Sequence, residues 1–227
     1  MPAGGGGRVR LVTERVDHVV LLDVDNTLLD NDAVERDLRR HMTDAFGEDC
    51  QQRYWDIFEE RRAEVGYADY LGALQRFRVE HPRAPHVLSI SLYLLHYPFA
   101  DRLYADALEV VGRLRRQALV VILSDGDVVF QPRKVERSGL WAAVAGEVLI
   151  YVHKEQMLDD VERRYPAERY TMVDDKVRIL TAMKDQWQDR LTTVFVRQGH
   201  YALNERLVSQ YPPADVTIQR IGDLAVW

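Results

Sequence analysis

Apolar residues follow more than one rhythm along this chain, and the changes of rhythm divide it. Val19, Val20, Leu21 and Leu22 form a continuous run with no alternation. That is the pattern of a strand covered on both faces, as in the middle of a parallel sheet. It predicts a first strand over about 18–24. From 32 to about 97 the rhythm becomes helical. Val34, Leu38, His41, Met42, Ala45 and Phe46 share one helix face, with Asp32 as the expected N-cap and Gly47 closing the helix. A second helix is predicted through Tyr54, Trp55, Ile57, Phe58 and Val65, stopping at Gly66. Tyr67, Tyr70, Leu71, Leu74 and Phe77 mark a third, which ends before His81-Pro82, and 87–95 a fourth, ahead of Pro98. Four helices with short joints predict a small helical bundle.

Beyond residue 99 the two rhythms alternate. Helices are expected over 103–116, from Gln131-Pro132 to just before Gly139, and over 155–165, 177–187 and 204–211. Apolar, β-branched runs predict strands at 118–123, 147–152, 170–173, 192–196 and 216–218. Strands alternating with helices indicate βαβ units, hence a parallel sheet with right-handed crossovers. The predicted class is α/β: a Rossmann-like parallel-sheet core over 8–30 and 99–227, with an inserted helical-bundle cap domain at 31–98. Residues 1–7, ending in four glycines, read as a flexible tail.

Composition narrows the partners. Hydrophobic content of 47% and charged content of 29% are ordinary for a globular chain able to bury a core. The net charge of -6, with no basic run to offset it, argues against a nucleic-acid or anionic-membrane surface. It leaves small anionic substrates open, since local groups meet those. The single cysteine, Cys50, rules out an internal disulfide and suits a reducing cytoplasm. The expected location is cytoplasmic: the opening residues lack the apolar segment of a signal peptide, and no apolar run approaches the ~20 residues that span a bilayer. A monomer and a homodimer are both compatible with these features.

The chemistry gathers at strand ends. The first strand runs into Asp23-Val24-Asp25-Asn26-Thr27. In a regular strand Asp23 and Asp25 point the same way, and two crowded carboxylates call for a divalent cation or a shared proton. Three later strands end in Ser124-Asp125-Gly126-Asp127, in His153-Lys154 and in Asp174-Asp175-Lys176. Each has a plain reading: Ser124 as a turn cap, Lys154 as a surface lysine opening a helix, Asp174-Asp175 as caps of the next helix. Their joint position, each just past an apolar strand of one parallel sheet, predicts convergence on one crevice. Open α/β sheets bind ligands at the carboxyl ends of their strands.

This order, an acid pair with Asn-Thr, then serine, then lysine, then an acid pair, resembles the four motifs of the haloacid dehalogenase superfamily, in members whose helical cap lies between the first and second motifs. The likeness spans essentially the whole chain after the glycines. It implies a phosphohydrolase acting on a small phosphorylated metabolite. Asp23 would be the nucleophile that forms an aspartyl-phosphate, and Asp25 the acid for the leaving alcohol and then the base for water. Ser124 would hold a phosphate oxygen, and Lys154 would neutralise the crowded anions. Mg²⁺ would be held by the Asp23 and Asp174 side chains with the Asp25 backbone carbonyl. Asp125 is grouped with Ser124 and Lys154 at the substrate. Asp175 is either a water-mediated metal neighbour or a helix cap, and Asp127 stays unassigned. The cap would close over the core, exclude water and set specificity.

Asp25 separates this branch from enzymes that cleave carbon–halogen bonds, because a departing halide needs no proton. Ser124-Asp125 departs from the commoner Ser/Thr-Asn of the second motif, and Glu155 stands where proline often follows the lysine. A phosphomutase and a catalytically idle phosphometabolite-binding protein are the alternatives. His81, His86 and His96 lack the spacing of a metal site, and Cys50 lacks a base partner. Tyr54, Trp55, Tyr67 and Phe77 are expected in the bundle core. Arg61-Arg62 and Arg113-Arg115-Arg116 read as solvated helix faces, the alternative being one cap arginine that reaches the substrate.

Overall fold

The structure, a computed structural model, describes residues 15–84 and 87–224. The glycine tail, the charged stretch up to 14 and His86 lie outside the described residues. In chain order the elements are β1 (Val16–Leu22), α1 (Asn31–Phe46), α2 (Glu48–Val65), α3 (Tyr70–Glu80), α4 (Val87–His96), α5 (Ala107–Leu114) and β2 (Leu119–Asp125). There follow α6 (Phe130–Arg137), α7 (Leu140–Ala143), β3 (Val148–Tyr151), α8 (Leu158–Arg164), β4 (Ala167–Asp174), α9 (Val177–Trp187), β5 (Leu191–Val196), α10 (Gly199–Leu203), α11 (Glu205–Val208) and β6 (Val216–Ile218).

All six strands are parallel, in the order β3-β2-β1-β4-β5-β6. The chain reverses direction across the sheet at β1, so β1 is the switch point, with β2 and β4 on its two sides. Its unalternating apolar run is explained by burial on both faces. Val20 and Leu22 join one apolar cluster, Val19 and Leu21 the other. The first cluster is continuous with the buried faces of α1–α4, through Tyr70 against Phe130 and Phe130 against Phe99, with ring centroids 5.2 and 5.8 Å apart. The helical segment between β1 and β2 is therefore anchored at the first residue of α6, directly beyond the end of β2.

Local polar chemistry moved several boundaries. Asp30, not Asp32, caps α1, accepting from the Ala33 amide at 2.8 Å; Asp32 is drawn away by Asn26 and His200. The α6 helix starts at Phe130, one residue before Gln131-Pro132, because Asp127 accepts from the amides of Val129 and Phe130. The helix expected over 155–165 is split: a short 3₁₀ turn at Lys154–Gln156 precedes α8, and its first side chain is pulled into the interior. Of the helix expected over 204–211 only α11 forms, preceded by α10 outside that range, with Asn204 between them accepting from the amides of Arg206 and Leu207. Tyr54, Trp55 and Phe77 are buried among the helices as expected, but Tyr67 lies in the α2–α3 joint, half-buried. His81 stacks on Phe77 and faces Cys50, and His96 is exposed. Among the described residues no helix is long and apolar enough to cross a membrane.

Candidate active site

The residues beyond β1, β2, β3 and β4 do meet. Asp23 follows β1 directly, and its amide continues the ladder to the Val173 carbonyl at 3.0 Å. The chain then folds tightly back. The amides of Thr27, Leu28 and Leu29 all turn to the Val24 carbonyl, and Asn26 takes a left-handed conformation with φ 62°. Gly199, at φ 70°, packs so closely that a Cβ there would lie 2.4 Å from the Asn26 Cβ. Only glycine fits that approach.

Lys154 is the hub. It is fully buried, and its ammonium lies 2.5 Å from Asp23 Oδ1 and 2.7 Å from Asp174 Oδ2, with the Leu123 carbonyl at 3.3 Å. Its amide donates to Asp125 Oδ1 at 2.8 Å. Burial opposes the charge of Lys154, but Asp174 and Asp23 outweigh it and hold the ammonium above its ordinary range. The reading of Lys154 as a surface lysine is thereby excluded.

Asp174 is fully buried, and burial pushes its carboxyl up to about 6 although Lys154 pulls the other way. Its Oδ1 accepts from the Lys176 amide at 2.8 Å. Asp175 does not cap α9, whose first turn receives no side-chain bond. Both oxygens of Asp175, and Oδ2 of Asp23, are buried without a hydrogen-bond partner, and burial raises the Asp175 carboxyl well above its usual range. Asp23, Asp174 and Asp175 each offer an oxygen within 4.8 Å of the others. Three carboxylates, two of them with orphaned oxygens, outnumber Lys154 and the neighbouring Lys176 and leave negative charge unbalanced. Hard oxygen donors in that number suit a divalent cation of the Mg²⁺ class.

Ser124 is buried at the end of β2, and its hydroxyl accepts from Gln131 Nε2 at 2.9 Å. The same nitrogen donates to Asp25 Oδ2 at 3.3 Å, so one amide ties the second strand end to the first. Asp25 Oδ1 accepts from Lys134 Nζ at 2.6 Å, and Lys134 also donates to Asn31 Oδ1 at 2.9 Å. Lys134 is fully buried, and neither it nor Gln131 stood out in the sequence. They lie one turn apart in the short α6, Lys134 among the charged residues Arg133, Glu136 and Arg137. Asp125 is tied to the Lys154 amide, burial raising its carboxyl, and Asp127 serves the start of α6.

A cavity of about 270 Å³ opens beside these groups. Asp25, Asp125 and Asp175 border it from the strand ends, and Arg62 and Tyr67 from the α2–α3 region. Arg61 is spent on Asp69 at 2.6 Å, so of the pair Arg61-Arg62 the second faces the cavity.

The profile of the haloacid dehalogenase-like hydrolases matches residues 18–185. A haloacid dehalogenase-like hydrolase from Burkholderia xenovorans LB400, known from a crystal structure, shares 60% identity over 92% of this chain and 97% of its own, with a TM-score of 0.88. The L-2-haloacid dehalogenase from Xanthobacter autotrophicus with chloropropionic acid covalently bound shares 18% over 92% and 96%, TM-score 0.59. The magnesium-bound HAD-hydrolase YfnB from Bacillus subtilis shares 16% over 92% and 96%, TM-score 0.60. At such identities the likeness is one of fold alone. No curated protein matches the chain. The match to the family over most of its length places this chain among the haloacid dehalogenase-like hydrolases.

Proposed function

We propose that this haloacid dehalogenase-like hydrolase is a Mg²⁺-dependent phosphomonoesterase for a small phosphorylated metabolite. The observation that carries this reading is Asp25. A second carboxyl group is fixed beside the cavity, two residues from Asp23, by Lys134 on one oxygen and Gln131 on the other. An alkoxide leaving group needs a proton in the transition state; a halide does not.

Lys154 engages Oδ1 of Asp23 and holds the carboxylate in place as the group that attacks phosphorus. As the Asp23–phosphorus bond forms and the ester bond breaks, Asp25 hands its proton to the departing alcohol. Water then attacks the aspartyl-phosphate, Asp25 takes a proton from it, and inorganic phosphate leaves with Asp23 restored. Ser124 positions a phosphoryl oxygen, its hydroxyl oriented by Gln131. A bound Mg²⁺, held by Asp23, Asp174 and the Asp25 carbonyl with Asp175 alongside, would supply the charge neutralisation that lets a carboxylate approach a phosphate. The helical segment would act as the cap, through the α2–α3 joint that borders the cavity.

The test is inorganic phosphate release from a panel of phosphorylated metabolites, with and without Mg²⁺, alongside chloride release from 2-chloropropionate. Phosphate release that depends on Mg²⁺, with no chloride, is expected; chloride without phosphate would overturn the reading. A second measurement bears on Asp25. Replacing Lys134 by Met removes one of its two anchors, and misplacing a catalytic group by an ångström costs about a hundredfold. Lys134→Met is expected to lower kcat about a hundredfold with little change in KM, and parent-like kcat would show that Asp25 needs no such anchor.

A further inference from the structure

The cavity beside the site is lined by charges of both signs. Its acids, Asp25, Asp125 and Asp175, border the strand ends. Its cations, Arg62, Lys176 and Arg178, come from α2 and from the start of α9. Arg178 is already committed, to Glu155 at 2.8 Å. Lys176 is half-buried and makes no ion pair within 4 Å among the described residues. The carboxylate nearest Arg62, on Glu59, is 3.9 Å away and largely exposed, a pairing of little strength in water. Lys176 and Arg62 approach one aromatic ring: Lys176 Nζ lies 5.2 Å and the Arg62 guanidinium 5.4 Å from the Tyr201 centroid.

Two cations gathered at a tyrosine, lining the same small cavity as the proton-donating carboxyl, form a receptor for an anion that is not the transferred phosphate. The phosphate belongs at the strand ends, with Ser124 and Lys154. We infer that the alcohol half of the substrate carries a second anionic group, a carboxylate or another phosphate, received by Arg62 and Lys176 beside Tyr201. This deepens the phosphohydrolase reading and rests on it. The cavity of about 270 Å³ falls at or below the ~300–1,000 Å³ of pockets for drug-sized ligands. The alcohol half is therefore compact, a few carbons long. Lys176 has a competing duty as counter-charge to Asp175, its neighbour in sequence. Arg62, on a helix of the inserted segment, has none at the strand ends, so the test turns on it.

The probes are 3-phosphoglycerate for a carboxylate, glycerol 1,3-bisphosphate for a second phosphate, and glycerol 3-phosphate as the neutral match. With Mg²⁺ present, kcat/KM for at least one acidic ester is expected to exceed that for glycerol 3-phosphate tenfold or more. Arg62→Gln should erase most of that preference, about tenfold and through KM, as the loss of one charge-assisted hydrogen bond does. Arg62→Lys should retain part of it. Equal efficiency on all three esters, or an Arg62→Gln loss of the same factor for acidic and neutral esters, overturns the inference and leaves the phosphohydrolase standing. Absence of phosphate release from every ester overturns both.

Discussion

Asp23→Asn is expected to abolish turnover while leaving the protein folded. The amide is nearly isosteric with the carboxylate, and its oxygen can still accept from Lys154 where Asp23 Oδ1 now does, at 2.5 Å. It is a far poorer nucleophile toward phosphorus, and no other carboxylate oxygen shares its position at the end of β1. Removing the nucleophile of a covalent mechanism costs on the order of a thousandfold or more in kcat. Stability should hardly fall, because one of three crowded buried acids loses its charge and with it some repulsion. Single-turnover phosphate release and thermal melting, measured on the same preparation, check both halves. A parent-like rate in Asp23→Asn would end its assignment as nucleophile. A collapsed melting temperature would instead mean that its charge is needed to satisfy Lys154.

How much of this was legible beforehand depends on where each signal is encoded. The parallel sheet was readable because burial on both faces leaves unbroken apolar runs, and 177–187 and 216–218 coincide with α9 and β6. The strand-end acids, Ser124 and Lys154 were readable because topology alone brings the carboxyl ends of adjacent parallel strands together. Nothing so local marks Lys134. It lies among charged residues on an amphipathic helix, and only the packing of α6 against the β1 loop turns its side chain inward to Asp25 and Asn31. Asp32 illustrates the same limit. Its position is as good for an N-cap as that of Asp30, but His200, 168 residues away, competes for it. Tyr67 and Arg62 fitted a helical period well enough to be read as core and as solvated face. Both instead border the cavity, the chain turning at the left-handed Gly66 that separates them.

Lys154→Met tests the electrostatic balance on which the site depends, and its effect on stability is expected to be the largest of any single change. The methionine fills similar volume but leaves Asp23 and Asp174 buried with no ammonium between them. Breaking a buried ion pair from one side costs about 3–5 kcal/mol, because the remaining charge is stranded. For a chain of this length each kcal/mol moves the melting temperature by roughly 2–4 °C, so a fall of about 6–20 °C is expected in metal-free buffer. Activity is expected to disappear as well. The cause can be isolated by neutralising the stranded acids. The triple variant Lys154→Met, Asp23→Asn, Asp174→Asn removes both charges that Lys154 ion-pairs with, and replacing both sides of a buried polar pair can be nearly neutral. It should regain most of the lost stability and none of the activity. If the triple variant melts as low as the single one, Lys154 supports the fold by packing and not by charge. The convergence of strand ends would then have to be held together by something other than its ammonium.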